Sequence, residues 1–146
     1  MKNLAMFTQL KSSNPVIHNS MSTSRVYLLA MAIFWFVFGL ITTFYPALMN
    51  MFQTEEGIKS ATAFSDHVWL HDGLDILSVS VLLFAFSREK ISRNLLRATA
   101  AVAFLVTLGI TSSLLSTPYW NKLFLIPGAC CLLFTVWGLR MAARTA

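Results

Sequence analysis

Four stretches of this chain carry no charged side chain: residues 26–54, 76–87, 98–121 and 123–139. The hydrocarbon core of a bilayer is about 30 Å thick and takes about 20 apolar residues of helix to cross. Within it every backbone N–H and C=O must be satisfied inside the segment or a closed barrel, and uninterrupted runs of this length satisfy them as helices. The runs therefore predict an all-α chain, an integral membrane four-helix bundle with spans at about 25–48, 66–87, 95–115 and 121–140. Composition agrees: 56% of the 146 residues are apolar, 12% are charged and the mean hydropathy is +0.65. That leaves too little polar surface to cover a soluble globule of this length.

Placing these spans sorts the charges. Nine of the eleven basic residues (Lys2, Lys11, Arg25, Arg88, Lys90, Arg93, Arg97, Arg140 and Arg144) fall on one side with a single acid, Glu89. Five of the six acids (Glu55, Glu56, Asp66, Asp72 and Asp75) fall towards the other, with Lys59 and Lys122. Short loops rich in Lys and Arg stay in the cytoplasm, so both termini are expected there. The basic balance is thereby explained without nucleic acid, whose recognition would need a patch or motif that the sequence lacks.

Residues 1–24 form a polar segment in which Leu4, Phe7 and Lys11 recur at helical spacing, the pattern of a short interfacial helix; a loop is expected over 12–24. The first apolar run starts late and exceeds twenty residues, so it is read as a retained span rather than a cleaved signal. In that span Phe34, Trp35, Phe36 and Phe38 fall at mid-bilayer depth, and Gly39 and Thr43 form a small-x-x-x-small pair through which another helix can approach. An outer loop follows over 49–64, and Ser65 or Asp66 is the expected N-cap of the second helix.

The second span is the unusual one. Residues 76–86 alone cover about 16 Å at 1.5 Å per residue, so the helix must begin near Asp66 or His67. Asp72 and Asp75 are then drawn below the headgroups. His67, His71 and Asp75 recur every four residues, and with Asp72 they lie at about 0°, 40°, 80° and 140° around the helix, a polar stripe that Ser78 extends. A carboxylate at this depth costs on the order of 1–3 kcal/mol and calls for a partner or a function.

Three uses compete. His67, His71, Asp72 and Asp75 offer ligands for a transition metal, since His at i and i+4 share an ion from one helix turn; His67 and Asp75, two turns or about 12 Å apart, cannot both reach one ion, so a closed site needs Glu55, Glu56 or Asp66 folding over from the loop. Alternatively, Asp75 and a histidine relay protons for a redox or transport process, although the inner halves of the spans supply no ionisable group to continue the route. The structural reading docks the second helix on the hydroxyls of Thr111, Ser112 and Ser113 of the third, or on a neighbouring subunit, with Lys122 pairing Asp66 or Asp72. The same cleft then has room for a lipid headgroup or a quinone ring.

Elsewhere, Pro127-Gly128 predicts a kink in the fourth span, and Tyr119 with Trp120 an interfacial anchor. Cys130 and Cys131 are adjacent, poor partners for a mutual disulfide, and read as apolar fillers. Nucleophile-elbow, P-loop, C-x-x-C and histidine-box signatures are missing, so a non-catalytic protein is expected.

From about 38 to 142 the layout resembles small four-span bacterial membrane proteins of the DoxX-like kind. A first span ending in Gly39-Leu40 and Tyr45-Pro46, an outer loop, a second span with Gly73-Leu74 and two hairpin-linked apolar helices carry the likeness. The resemblance implies a four-span fold in a bacterial inner membrane and, for some members, an accessory place in membrane redox complexes. The His67–Asp75 segment departs from the pattern, so no functional residue is carried over. The expected role is an accessory or assembly subunit that contacts lipid and other membrane subunits or copies of itself. The alternative is a membrane-embedded metal or proton-relay site on the second helix.

Overall fold

The computed structural model describes residues 15–61 and 63–145, with side chains over 23–61 and 69–145. Six α-helices follow one another: α1 (Pro15–Phe44), α2 (Pro46–Met49), α3 (Glu55–Ser60), α4 (Ala63–Arg88), α5 (Arg93–Ser116) and α6 (Leu125–Arg144). Short 3-10 turns at Asn50–Phe52 and Lys122–Phe124 complete the order. Among the described residues four segments are long and apolar enough to cross a membrane: Thr23–Phe44, Trp69–Arg88, Arg93–Ser116 and Lys122–Arg144. The all-helical, four-span expectation is met.

Boundaries differ where local chemistry decides them. α1 begins at Pro15, so residues 15–24 are helical rather than loop; proline is well accommodated at a first helical position, where its missing N–H would have no partner. The expected interfacial helix at Leu4, Phe7 and Lys11 lies outside the described residues. At its other end α1 stops at Phe44, four residues early, because Pro46 excludes helical geometry from the residue before it: Tyr45 turns to φ −134°, ψ 54°. α4 starts at Ala63, which places Ser65 and Asp66 inside the helix instead of at its cap. Ser92 caps α5 by accepting a hydrogen bond from the Leu95 amide (3.2 Å). Pro127 does not kink a helix interior; it stands in the first turn of α6, and the Lys122–Phe124 turn before it is 3-10. A proline ring in the first turn removes an amide that has no intrahelical acceptor anyway.

The helices pair as two antiparallel hairpins, α1 with α4 and α5 with α6, joined chiefly through α1 and α6. α1 and α4 approach closely where Gly39 and Thr43 of one meet Gly73 of the other. A Cβ built on Gly73 would overlap Thr43 Oγ1 and stand 2.8 Å from the Thr43 nitrogen. The Gly39–Thr43 pair thus does what its spacing predicts. Further along, Ser80 Oγ donates to the Ala32 carbonyl (2.9 Å), a buried interhelical bond.

One end of the bundle holds the core: Tyr27, Leu28, Met31, Leu83, Leu96, Ala103, Met141 and Ala142 are all buried. Tyr27 is its hub. Its hydroxyl donates to Thr99 Oγ1 (3.3 Å), and its ring meets Trp137 and Phe134 edge-on at 5.4 and 6.4 Å. We call this the basic end, since Arg88, Lys90, Arg93, Arg140 and Arg144 lie there. The opposite, capped end is closed by loops locked together. Asn121 Nδ2 donates to the Met51 and Gln53 carbonyls (2.7 and 2.9 Å). The Thr54 amide donates to the Tyr119 carbonyl (2.9 Å) and the Asn121 amide to that of Phe52 (2.8 Å). Gly57 lets α3 sit against this turn, because a Cβ there would lie 2.5 Å from the Tyr119 oxygen.

Candidate functional site

α4 and α5 follow each other directly in the chain yet hardly touch. This overturns the docking of the second helix on the third. Thr111 is exposed and its hydroxyl donates back to the Thr107 carbonyl (2.9 Å), and Ser112 is exposed as well. The physical reason is backbone access: the Gly39/Thr43–Gly73 crossing lets α4 approach α1 more closely than a surface carrying side chains allows.

Because α4 leans on α1 and α5 on α6, a cleft of about 310 Å³ opens between the hairpins towards the capped end. α1 contributes Trp35, Phe38 and Thr42, which share one face at i, i+3 and i+7. α4 contributes Trp69, Asp72, Asp75 and Ile76; α5 adds Val106 and Ile110; α6 adds Pro127 and Cys131. Met49 and Phe124 reach in from the capped end. An aromatic stack backs that end: Phe124 lies parallel to Trp120 at 4.2 Å, and Trp120 meets Trp69 edge-on at 5.9 Å. Trp120 is therefore engaged with the cleft wall as well as standing where an interfacial anchor was expected.

The walls are apolar except at a few points. Thr42 is already satisfied, donating to the Phe38 carbonyl (2.8 Å). Trp35 is only 7% exposed, and its indole N–H has no hydrogen-bond partner among the described residues. Asp72 and Asp75 are exposed side chains that line the opening. They stand one turn apart on α4. The ion pair found among the described residues is Lys59 with Glu55 at 3.8 Å, on the surface of α3.

The sequence-derived site residues part company here. Asp72 and Asp75 come to the cleft, whereas His71 is exposed and is not among its lining residues. His67 belongs to α4, but its side chain, like that of Asp66, lies outside the described ones. Glu55 and Glu56 occupy the first turn of α3 with their side chains exposed. Among the described residues no three His, Cys, Asp or Glu side chains gather closely enough to hold a metal ion. Lys122 opens the 3-10 turn, exposed, and forms no ion pair with Asp72. Ser78 donates to the Leu74 carbonyl of its own helix (2.9 Å) instead of extending a polar site. Cys130 and Cys131 are free thiols, and the buried Cys131 forms part of the cleft wall.

The polar stripe joined both histidines and both carboxylates in one site. The cleft instead takes the neighbouring face, with Asp72 between Trp69 and Ile76 at i−3 and i+4. Trp35, Phe38 and Phe124 carried a weaker signal: large aromatics within or beside a span, on no belt, with one face shared by two of them. Compared with family models, curated proteins and solved structures, the chain finds no match.

Proposed function

We propose that this is a non-catalytic, multi-pass membrane protein of the bacterial inner-membrane type with both termini in the cytoplasm, an accessory subunit that holds a small amphiphilic molecule between its two hairpins. The observation that carries the reading is the cleft itself. Its walls come from all four spans, it is roughly the size of the smaller ligand pockets, and it brings two carboxylates to an otherwise apolar lining. An accessory role also accounts for α5, of which only 17% of the most apolar stretch is buried within the fold; the remainder is left for lipid or neighbouring subunits.

Two measurements test this. A membrane-impermeant thiol reagent should label Glu55→Cys from outside the cell and leave Ser92→Cys protected; the reverse pattern would invert the orientation. Native mass spectrometry of the purified protein should show a bound small molecule, and Val106→Trp, which fills the cleft from α5, should lose it. An equal load on both proteins would remove the cleft from the proposal.

A further inference from the structure

Resting on the cleft reading above, we infer that the molecule it takes is a small lipophilic cation, with its ammonium centre at Asp72 and Asp75 and its apolar body among Trp35, Phe38, Trp69 and Phe124.

Charge is the first argument. Among the described residues Asp72 and Asp75 are the acids of the lining, and no described Lys, Arg or His joins them there. Like charges one helical turn apart destabilise each other, and neither carboxylate has a salt-bridge partner among the described residues. Asp75 also belongs to the part of α4 that is long and apolar enough to cross a membrane, which carries it below the headgroups. At that depth water screens little and a cation between the two carboxylates is strongly favoured.

The walls supply the second. Indole and phenyl faces attract cations as well as apolar groups, and four such rings border the opening that the carboxylates occupy.

Competing occupants fit less well. A site that strips a metal ion of its water needs six or more ligand atoms, and among the described residues no third His, Cys, Asp or Glu gathers with Asp72 and Asp75. The headgroup of a zwitterionic lipid would bring its phosphate close to Asp72 and Asp75, with no basic side chain among the described lining residues to receive it. A free ammonium compound meets neither objection.

The test uses the full chain in nonionic micelles and two probes of the same shape, benzyltrimethylammonium and its uncharged isostere neopentylbenzene. Equilibrium dialysis should show saturable, one-to-one binding of the cation, accompanied by quenching of tryptophan fluorescence. The double variant Asp72→Asn/Asp75→Asn should weaken the cation about tenfold or more and leave neopentylbenzene unchanged, which also reports that the cleft is intact. Equal affinity of the cation for both proteins, or tighter binding of the isostere by the unmodified protein, would overturn the inference while leaving the cleft as a binding site. Displacement of the cation by phosphatidylcholine would assign the carboxylates to a lipid headgroup and overturn it too. If neither probe binds, the cleft reading falls and this inference with it.

Discussion

Thr43 carries a hydroxyl that the α1–α4 crossing buries without a partner among the described residues, whereas Ser80, two turns beyond Gly73 on α4, uses its own to bridge the helices. The two should respond oppositely to removal. A buried polar group without a partner costs free energy that an apolar replacement recovers, so Thr43→Val should be neutral or stabilising. Ser80→Ala should cost about 0.5–1.5 kcal/mol, the range for interhelical hydrogen bonds in membranes. Gly73→Ala should cost more, about 1–3 kcal/mol, as an overpacked contact does. Thr43→Ser should not rescue it, because the Thr43 backbone nitrogen obstructs the new methyl as well as the hydroxyl does. Reversible unfolding in mixed micelles measures all four. Gly39 and Thr43 were legible in the sequence as a close-approach pair; that Gly73 answers them was not, since small residues are common in apolar helices and only the crossing selects among them.

At the level of elements, the capped end depends on one side chain. Asn121 receives the Leu123 amide (2.8 Å), so it caps the turn into α6, and it holds the Met51 and Gln53 carbonyls from the segment after α2. Asn121→Ala would release all three contacts. Amide exchange at Thr54 and Asn121 should then rise by one to two orders of magnitude, equivalent to about 1.5–3 kcal/mol of lost local stability. Exchange in α1 and α5 near Tyr27 should stay unchanged, since that core lies at the opposite end. Exchange rising uniformly throughout would instead show that the cap and the core unfold as one unit. Sequence placed Asn121 at a span end, but its partners are about 70 residues away, and nothing local announces them. The proline boundaries behave differently. Pro15, Pro46 and Pro127 act through their own rings, and the difficulty lay in telling a helix start from a kink: Pro127 has apolar residues on both sides, and hydropathy does not show where the 3-10 turn gives way to α6.

Across the whole molecule, the two hairpins pack more strongly within themselves than against each other. Chains split in the 89–92 connection should therefore reassemble when co-expressed. Tyr27→Ala should block this by removing both the Thr99 bond and the ring contacts with Trp137 and Phe134, while Tyr27→Phe should largely preserve it. Co-purification of a tagged first half with the second half is the measurement, and recovery of the Tyr27→Ala pair in full yield would show that other contacts join the hairpins. The sequence alone determined the number of spans, their alternating directions and the sorting of basic from acidic residues between the two ends, because hydropathy and charge act on each segment separately against its solvent. Tertiary structure decided which helices pair, and so turned Asp72 and Asp75 towards an apolar cleft while leaving His71 outside its wall. A helix in an apolar setting has few faces distinguished by polarity, so pairing is selected by surface relief, the fit of Gly73 to Thr43 and of Tyr27 among its rings, and relief exists only once the backbones have been brought together.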